Sequence, residues 1–433
     1  MSATPTTDLK LPPAPRTLAD SGLSPLYVVE HLAKLLFLQG EATLAELSAL
    51  CRLPHTLLAP LLAFMRDEKL LEATRYADAE TTVSFSLGEA GRARARDALA
   101  RCQYAGPLPV TLAAYRAQVA RQRLRDERVG RAELDAAFDG LTVRPSLLAQ
   151  LGAGLNSGRA LFIHGPAGSG KTFLAEHLVG LLGGTISVPY ALLVDNEVIQ
   201  LFDPLVHQAV DAETPVQGLE RHDAGDTRWQ LCRRPLIVSG GELTLEMLEL
   251  DFDHHARFYQ APPQLRANNG LMIVDDLGRQ RVSAQALMNR WIVPLDRQVD
   301  YLSLHTGSKF QVPFDVQVVF SSNLTPETLA DEAFLRRLPY KLHVGELTEA
   351  EYREIFVQAC RSLGLPYTDA ALRHVVDRLH GDSGRPLLAC SPRDLLSQVR
   401  DLCRFEGQPL VLDEARLNWA WDNYHGQAAT PPL

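Results

Sequence analysis

The sequence predicts an α/β protein: a sheet with its chemistry at the strand ends, a small helix-and-hairpin domain before it and a helical domain after it. Three observations predict this. Residues 159 to 172, RALFIHGPAGSGKT, are an apolar strand run that breaks into glycines. Residues 271 to 278, LMIVDDLG, are a second apolar run that ends abruptly in two acids, as a fully buried strand does when it delivers carboxylates to a sheet rim. Residues 26 to 100 change from helical to alternating periodicity and back.

The first 22 residues, MSATPTTDLKLPPAPRTLADSG, are rich in Pro, Thr and Ala and have no apolar core, so residues 1 to 25 read as a disordered tail and not as a signal peptide. Residues 26 to 105 have the rhythm of a winged helix. LYVVEHLAKLLFLQ is amphipathic; Gly40 and then TLAELSALCRL follow, with Thr43 and Glu46 as a capping box. A third helix starts after Pro54. Two alternating runs, LLEATRY and TTVSFSL, flank ADAE as a hairpin, and GRARARDALA closes with a helix. The third helix, PHTLLAPLLAFMRDEK, is the one that would enter a DNA groove. Its early turns offer His55 and Thr56 but no Arg, Lys, Asn or Gln to read base edges, and Pro60 should kink or shorten it, which favours a protein contact.

Charge is distributed unevenly. The chain carries a formal net charge of −9, yet segment 91 to 131 holds ten arginines against three acids. Residues 106 to 135 therefore read as an Arg-rich helical linker that tracks nucleic-acid phosphates, lines a subunit interface or stays solvated. Six scattered cysteines (Cys51, Cys102, Cys232, Cys360, Cys390, Cys403) without a C-x-x-C pair favour reduced, cytoplasmic thiols. No apolar stretch approaches membrane-spanning length, so no membrane insertion is expected.

The glycine-rich turn fits the phosphate-loop pattern G-x-x-x-x-G-K-[ST], Gly165, Pro166, Ala167, Gly168, Ser169, Gly170, Lys171, Thr172. Gly165, Gly168 and Gly170 let successive N–H groups face an anion, and the following helix adds its positive dipole end. Lys171 would reach the β- and γ-phosphates of ATP, and the Thr172 hydroxyl and Asp275 would ligate Mg²⁺. Asp276 would orient the attacking water. It is one methylene shorter than the glutamate common at this position, so a short acid that limits the rate and a site closed up around aspartate both remain open.

Downstream come a helical run, SAQALMNRWIVPLDR, a hairpin pattern, YLSLH-TGS-KFQVP, and a buried strand, VQVVFSSN. Asn323, at the carboxyl end of that strand, would reach the γ-phosphate or the lytic water. In DEAFLRRLPYKLHV the two arginines would be surface charges in a monomer; in a ring Arg337 would point at a neighbour's nucleotide, supported by Arg336, an arrangement worth about 10³ to 10⁵ in rate. Thr348 and Glu351 form a capping box for EAEYREIFVQACRSL. Ser391 caps a later helix with Pro392 at its first position, and Arg393 in that first turn would reach the phosphates.

The series GPAGSGKT, LMIVDD, SSN, AFLRRL and SPRD, over residues 136 to 425, resembles the AAA+ ATPases. The resemblance puts Lys171, Asp275, Asn323, Arg337 and Arg393 on the Walker A, Walker B, sensor 1, arginine-finger and sensor 2 positions. It implies a P-loop NTPase αβα sandwich with sheet order 5-1-4-3-2, a helical lid and a ring, usually a hexamer. It also sets the boundaries: a nucleotide-binding domain over 136 to 345, with an insertion at about 186 to 234, and a lid over 346 to 433. Within the insertion, YALLV and EVIQLF flank Asp195-Asn196 as a hairpin.

RRPLIVSGGELTLEMLELDF and MNRWIVPLDRQVDYL make the chain similar to bacterial winged-helix AAA+ ATPases described as having predicted chaperone activity and associated with Flp pilus assembly. The expected activity is ATP hydrolysis in an oligomeric ring that remodels a protein client. The Asp-Asp pair also resembles the replication-initiator and helicase-loader branch, which keeps a DNA-binding ATPase as the alternative. A slow, nucleotide-switched scaffold is the third reading.

Overall fold

The computed structural model describes residues 11–75, 83–126, 128–210, 225–329 and 331–426. The chain divides into two compact units, Met1–Arg128 with Leu182–Met272 and Arg281–Val318, and Val129–Leu181 with Ile273–Gln280 and Val319–Leu433.

Five strands form the central sheet: β1 Leu161–His164, β2 Leu236–Ser239, β3 Gly270–Val274, β4 Val316–Ser322 and β5 Tyr340–His343. Their order is β5-β1-β4-β3-β2, the order that the resemblance implies. β4 and β5 both run parallel to β1, with Ser322 and His343 each level with His164. Every residue of β3 and β4 is buried, which is why these runs lack alternation. The fold is an α/β P-loop type with a parallel arrangement of β1, β4 and β5.

In the first unit, helices Pro25–Gln39, Leu44–Cys51 and His55–Asp67 pack with a sheet of three short strands, in which Val83–Leu87 lies between Glu41–Thr43 and Leu71–Arg75. Val28, Leu32, Leu36, Leu47, Leu58 and Met65 fill the centre. The Thr43–Glu46 capping box is present in both directions. Pro60 lies inside the third helix without ending it. The ADAE turn lies outside the described residues.

Three expectations need correction. Residues 11 to 25 are not a disordered tail, because from Leu11 the chain is held by distant groups. Asp226 N donates to Pro12 O, and the buried Arg228, paired with Asp226 at 2.8 Å, donates to the carbonyls of Ser21 and Pro109. A local composition reading cannot see a partner that lies 207 positions away. The Arg-rich segment is no free connector either. Val110–Thr111 pairs in parallel with Leu192 and Leu193, and helix Leu112–Arg121 buries Tyr115 and Val119 while Arg121 faces solvent.

The insertion, third, is larger than 186 to 234. Strand Thr185–Pro189 pairs with Trp229–Arg233, and a sheet runs from Asp251–Asp253 through Phe258–Gln260, Glu197–Gln200 and Ala191–Val194 to Val110–Thr111. These elements share one apolar core with the hairpin Val299–Ser303/Lys309–Pro313. The predicted turn at Asp195-Asn196 has φ of 49° and 65°, the left-handed pair a two-residue hairpin requires.

The lid of the second unit contains helices Glu349–Leu363, Asp369–Arg373, Ser391–Glu406 and Glu414–Tyr424, and the helix at Asp369 continues as a π-helical stretch, His374–His380. Tyr352, Phe356, Val375, Leu396, Val399 and Trp421 form its core. Among the described residues no single helix is long and apolar enough to cross a membrane.

Candidate functional site

All the groups of the site lie in the second unit. β1 ends at His164, and the loop 165 to 170 leads into the helix Lys171–His177. Gly168 and Gly170 have φ of 80° and 93°, open to glycine at no steric cost. Space matters as much as φ. A Cβ at Gly165 would overlap the Val344 carbonyl, and one at Gly168 would overlap the Cys390 thiol. The helix that starts at Lys171 is short, so the loop glycines and the lysine define the anion site more than a dipole does.

Lys171 is 6% exposed, and its Nζ donates to Asn323 Oδ1 at 2.8 Å and Pro166 O at 2.9 Å. Burial pulls its pKa down, while Asp275 and Asp276 push it up. Asn323 turns its other end to the acids, Nδ2 donating to Asp276 Oδ1 at 3.0 Å. Thr172 Oγ1 donates to Asp275 Oδ2 at 2.8 Å, and the other Asp275 oxygen accepts from Asp276 N. One amide therefore joins the cation of the loop to the second acid, while the loop hydroxyl joins the first.

The two acids have different backbones. Asp275 is the first residue after β3, whereas Asp276 has φ of 48°, in the left-handed region that Asp and Asn tolerate best among non-glycine residues. Leu277 N then donates to Ser321 O, and Ser322 Oγ donates to Leu277 O, so the turn is stitched to the end of β4 next to Asn323. Buried Gln280, not singled out in the sequence, donates to Asp275 O at 3.0 Å and accepts from Gly278 N. Nothing in DDLGRQ marks it locally; its role depends on the turn that Asp276 and Gly278 make.

The arrangement fits a nucleotide phosphate tail with Mg²⁺. Lys171 offers a cation beside the glycine loop, and Ser169 Oγ is buried with no protein partner. Thr172 and Asp275 are a hydroxyl and a carboxylate side by side, the donor types that magnesium takes.

The arginines stand elsewhere. Arg336, exposed, and Arg337, half-buried, follow the short helix Glu332–Leu335, which Asp331 caps. Arg393 lies exposed in the first turn of Ser391–Glu406, and the start of that helix reaches the loop: Cys390 N donates to Gly168 O at 3.0 Å. Ser391 is not the cap that the sequence suggested. It is the first helical residue, and its hydroxyl turns inward to Tyr352 and His380. A further pair is absent from the sequence reading: His164 and His343, at the ends of β1 and β5, have ring centroids 5.1 Å apart, and burial, followed by His343, holds His164 below its ordinary pKa.

Fold and site together define a P-loop nucleotide-binding architecture. Residues 348–423 match the family described as "Domain of unknown function (DUF8689)". No curated protein matches the chain. Among solved structures, the chain is similar to NtrX from Brucella abortus in complex with ADP, at 13% identity and a TM-score of 0.38 over 66% of this chain and 58% of that one. It is also similar to the Thermotoga maritima RuvB Holliday junction branch migration motor, at 13% identity and a TM-score of 0.37 over 68% and 70% of the two chains. The chain thus spans under two thirds of the NtrX chain, and the fold class rests on the strand order and loop described above.

Proposed function

We propose that the chain is an AAA+ ATPase that binds and hydrolyses ATP with Mg²⁺. The observation that carries this reading is the bridge made by Asn323, whose amide bonds Lys171 at one end and Asp276 at the other. In this reading the loop amides and Lys171 bind the phosphates, and Thr172 and Asp275 hold the magnesium. Asp276 takes the proton of the attacking water, and Asn323 holds that water and the γ-phosphate in line. Magnesium, when bound, neutralises charge that builds on the phosphate oxygens. Arg393 reaches the phosphates in cis, and Arg337, with Arg336 beside it, serves the nucleotide of a neighbouring copy in a ring, a hexamer by resemblance.

The client is a protein. Support comes from the exposed face of helix His55–Asp67, where Ala59, Pro60, Ala63 and Phe64 stand in a row and Phe64 is 51% exposed. The first turns of that helix have no side chain able to make a bidentate contact with a base, and its one arginine, Arg66, stands in the last turn, 3.7 Å from Asp67. The exposed arginines Arg92 and Arg96 support the competing DNA-binding reading. A cytoplasmic, chaperone-like role, related to pilus or secretion assembly, extends the protein reading.

The test is ATP turnover by the full chain, alone, with duplex DNA and with candidate pilus-assembly proteins. Turnover that is insensitive to DNA, with at most weak and steeply salt-dependent DNA binding, is expected. A nanomolar, sequence-selective footprint at physiological salt would replace the protein reading with the DNA one.

A further inference from the structure

The inward turn of Ser391 has a consequence for the nucleotide site. Tyr352, His380 and Ser391 form a closed cluster inside the lid: Tyr352 Oη is 3.2 Å from His380 Nε2 and 3.1 Å from Ser391 Oγ, and Ser391 Oγ is 3.3 Å from the same imidazole nitrogen. All three residues are at most 5% exposed. The other ring nitrogen, Nδ1, lies 3.1 Å from Arg385 O, which can only accept, so Nδ1 carries the hydrogen and Nε2 is an acceptor. Two hydroxyl protons then serve the cluster. Ser391 donates to Tyr352, Tyr352 donates to Nε2, and no polar atom of the cluster is left unpaired.

Each member comes from a different element. Tyr352 lies in the first lid helix, His380 closes the π-helical stretch with its ring edge-on to Trp421 at 4.7 Å, and Ser391 opens the helix that carries Arg393. A π-helical stretch shifts the side chains that follow it out of α-helical phase, and such stretches are frequent at functional sites. The residue before Ser391 is Cys390, whose N–H is bonded to Gly168 O of the phosphate loop and whose thiol fills the space a side chain at Gly168 would need. Two residues after Ser391 is Arg393.

We infer that Tyr352, His380 and Ser391 are positioning residues that fix the start of helix Ser391–Glu406, so that Cys390 stays on the phosphate loop and Arg393 is presented to the nucleotide phosphates. The inference rests on the proposed assignment of Arg393. The cluster touches no phosphate itself and acts through the helix start. It explains why a serine at this position is turned away from the capping role that the local sequence favours.

The test is a double-mutant cycle in the full chain, with Mg·ATP affinity and steady-state kinetics as readouts and thermal melting as the folding control. Tyr352→Phe and Ser391→Ala each remove one hydroxyl, and each is expected to weaken Mg·ATP binding by about 5-fold, the worth of about one hydrogen bond. Ser391→Thr, which keeps the hydroxyl, restores binding. In an Arg393→Ala background the same changes are expected to have less than about a twofold effect, because the group they position is gone. Equal effects in both backgrounds mean a general structural role and overturn the inference, as does unchanged affinity in both Tyr352→Phe and Ser391→Ala. Unchanged affinity in Arg393→Ala alone overturns the assignment of Arg393, and the inference with it. Arg393→Ala weak with Tyr352→Phe and Ser391→Ala normal overturns the inference only.

Discussion

Lengthening the second acid by one methylene, Asp276→Glu, should slow hydrolysis. Asp276 has φ of 48°, and its Oδ1 already accepts from Asn323 Nδ2 at 3.0 Å. Glutamate lacks the short polar side chain that eases the left-handed backbone, which costs about 1 kcal/mol more than aspartate there. The added methylene also displaces the carboxylate from Asn323, a further loss of about 1 kcal/mol. Together these amount to about 2 kcal/mol, or about a 30-fold fall in kcat. Asp276→Asn keeps the backbone preference and the acceptor for Asn323, so Mg·ATP binding should stay within about twofold while turnover falls by about 10² or more. The assay is phosphate release at saturating Mg·ATP, with nucleotide titration in parallel. Faster turnover by Asp276→Glu would refute the reasoning, since it would mean that the site is short of reach and not closed around aspartate. Turnover of Asp276→Asn equal to wild type would remove Asp276 from the chemistry.

Three further predictions concern the loop, the ring and the lid. Gly168→Ala should weaken Mg·ATP binding at least about tenfold, because its Cβ meets Cys390 as well as a φ of 80°; Cys390→Gly should recover part of the loss, and no recovery would make backbone strain the whole effect. Arg337→Ala should bind ATP but lose turnover, and mixing it with Lys171→Ala protein should restore some; loss of ATP binding by Arg337→Ala alone would place the arginine in cis. Glu351 is held at about 2, below its ordinary 4.5, first by Arg144, whose guanidinium lies 2.7 Å away. A depressed carboxylate contributes stability above pH 4.5 that is lost as pH falls toward 2, so Glu351→Gln should lack that component of acid unfolding; identical pH profiles would contradict it.

The parts of this molecule that were legible in the sequence are those set by neighbours along the chain. The buried run of β3 ending in Asp275, the loop ending in Lys171-Thr172, the capping boxes at Thr43 and Thr348 and the left-handed turn at Asp195-Asn196 are all local patterns with a local physical cause. What was not legible depends on partners far along the chain. Leu11 to Leu23 is ordered by the carbonyl acceptors it offers to Arg228 and Asp226, and the arginine-rich segment is folded by the pairing of Val110 with Leu192. Ser391 was misread for the same reason: its hydroxyl obeys Tyr352 and His380, not the helix it begins. At the site, the residue types and their spacing gave the cluster, but neither the left-handed turn at Asp276 nor the way Asn323 spans from Lys171 to Asp276 could be read from spacing.

The central claim is that the Lys171, Asn323, Asp276 cluster hydrolyses ATP. The most direct measurement is phosphate release from Mg·ATP by the purified full chain next to its Lys171→Ala variant, with ATP binding by both followed in a titration. The account predicts saturable turnover and binding by the wild type, and loss of both in Lys171→Ala, whose loop has lost its one buried cation. Equal binding and turnover by the two proteins would contradict it.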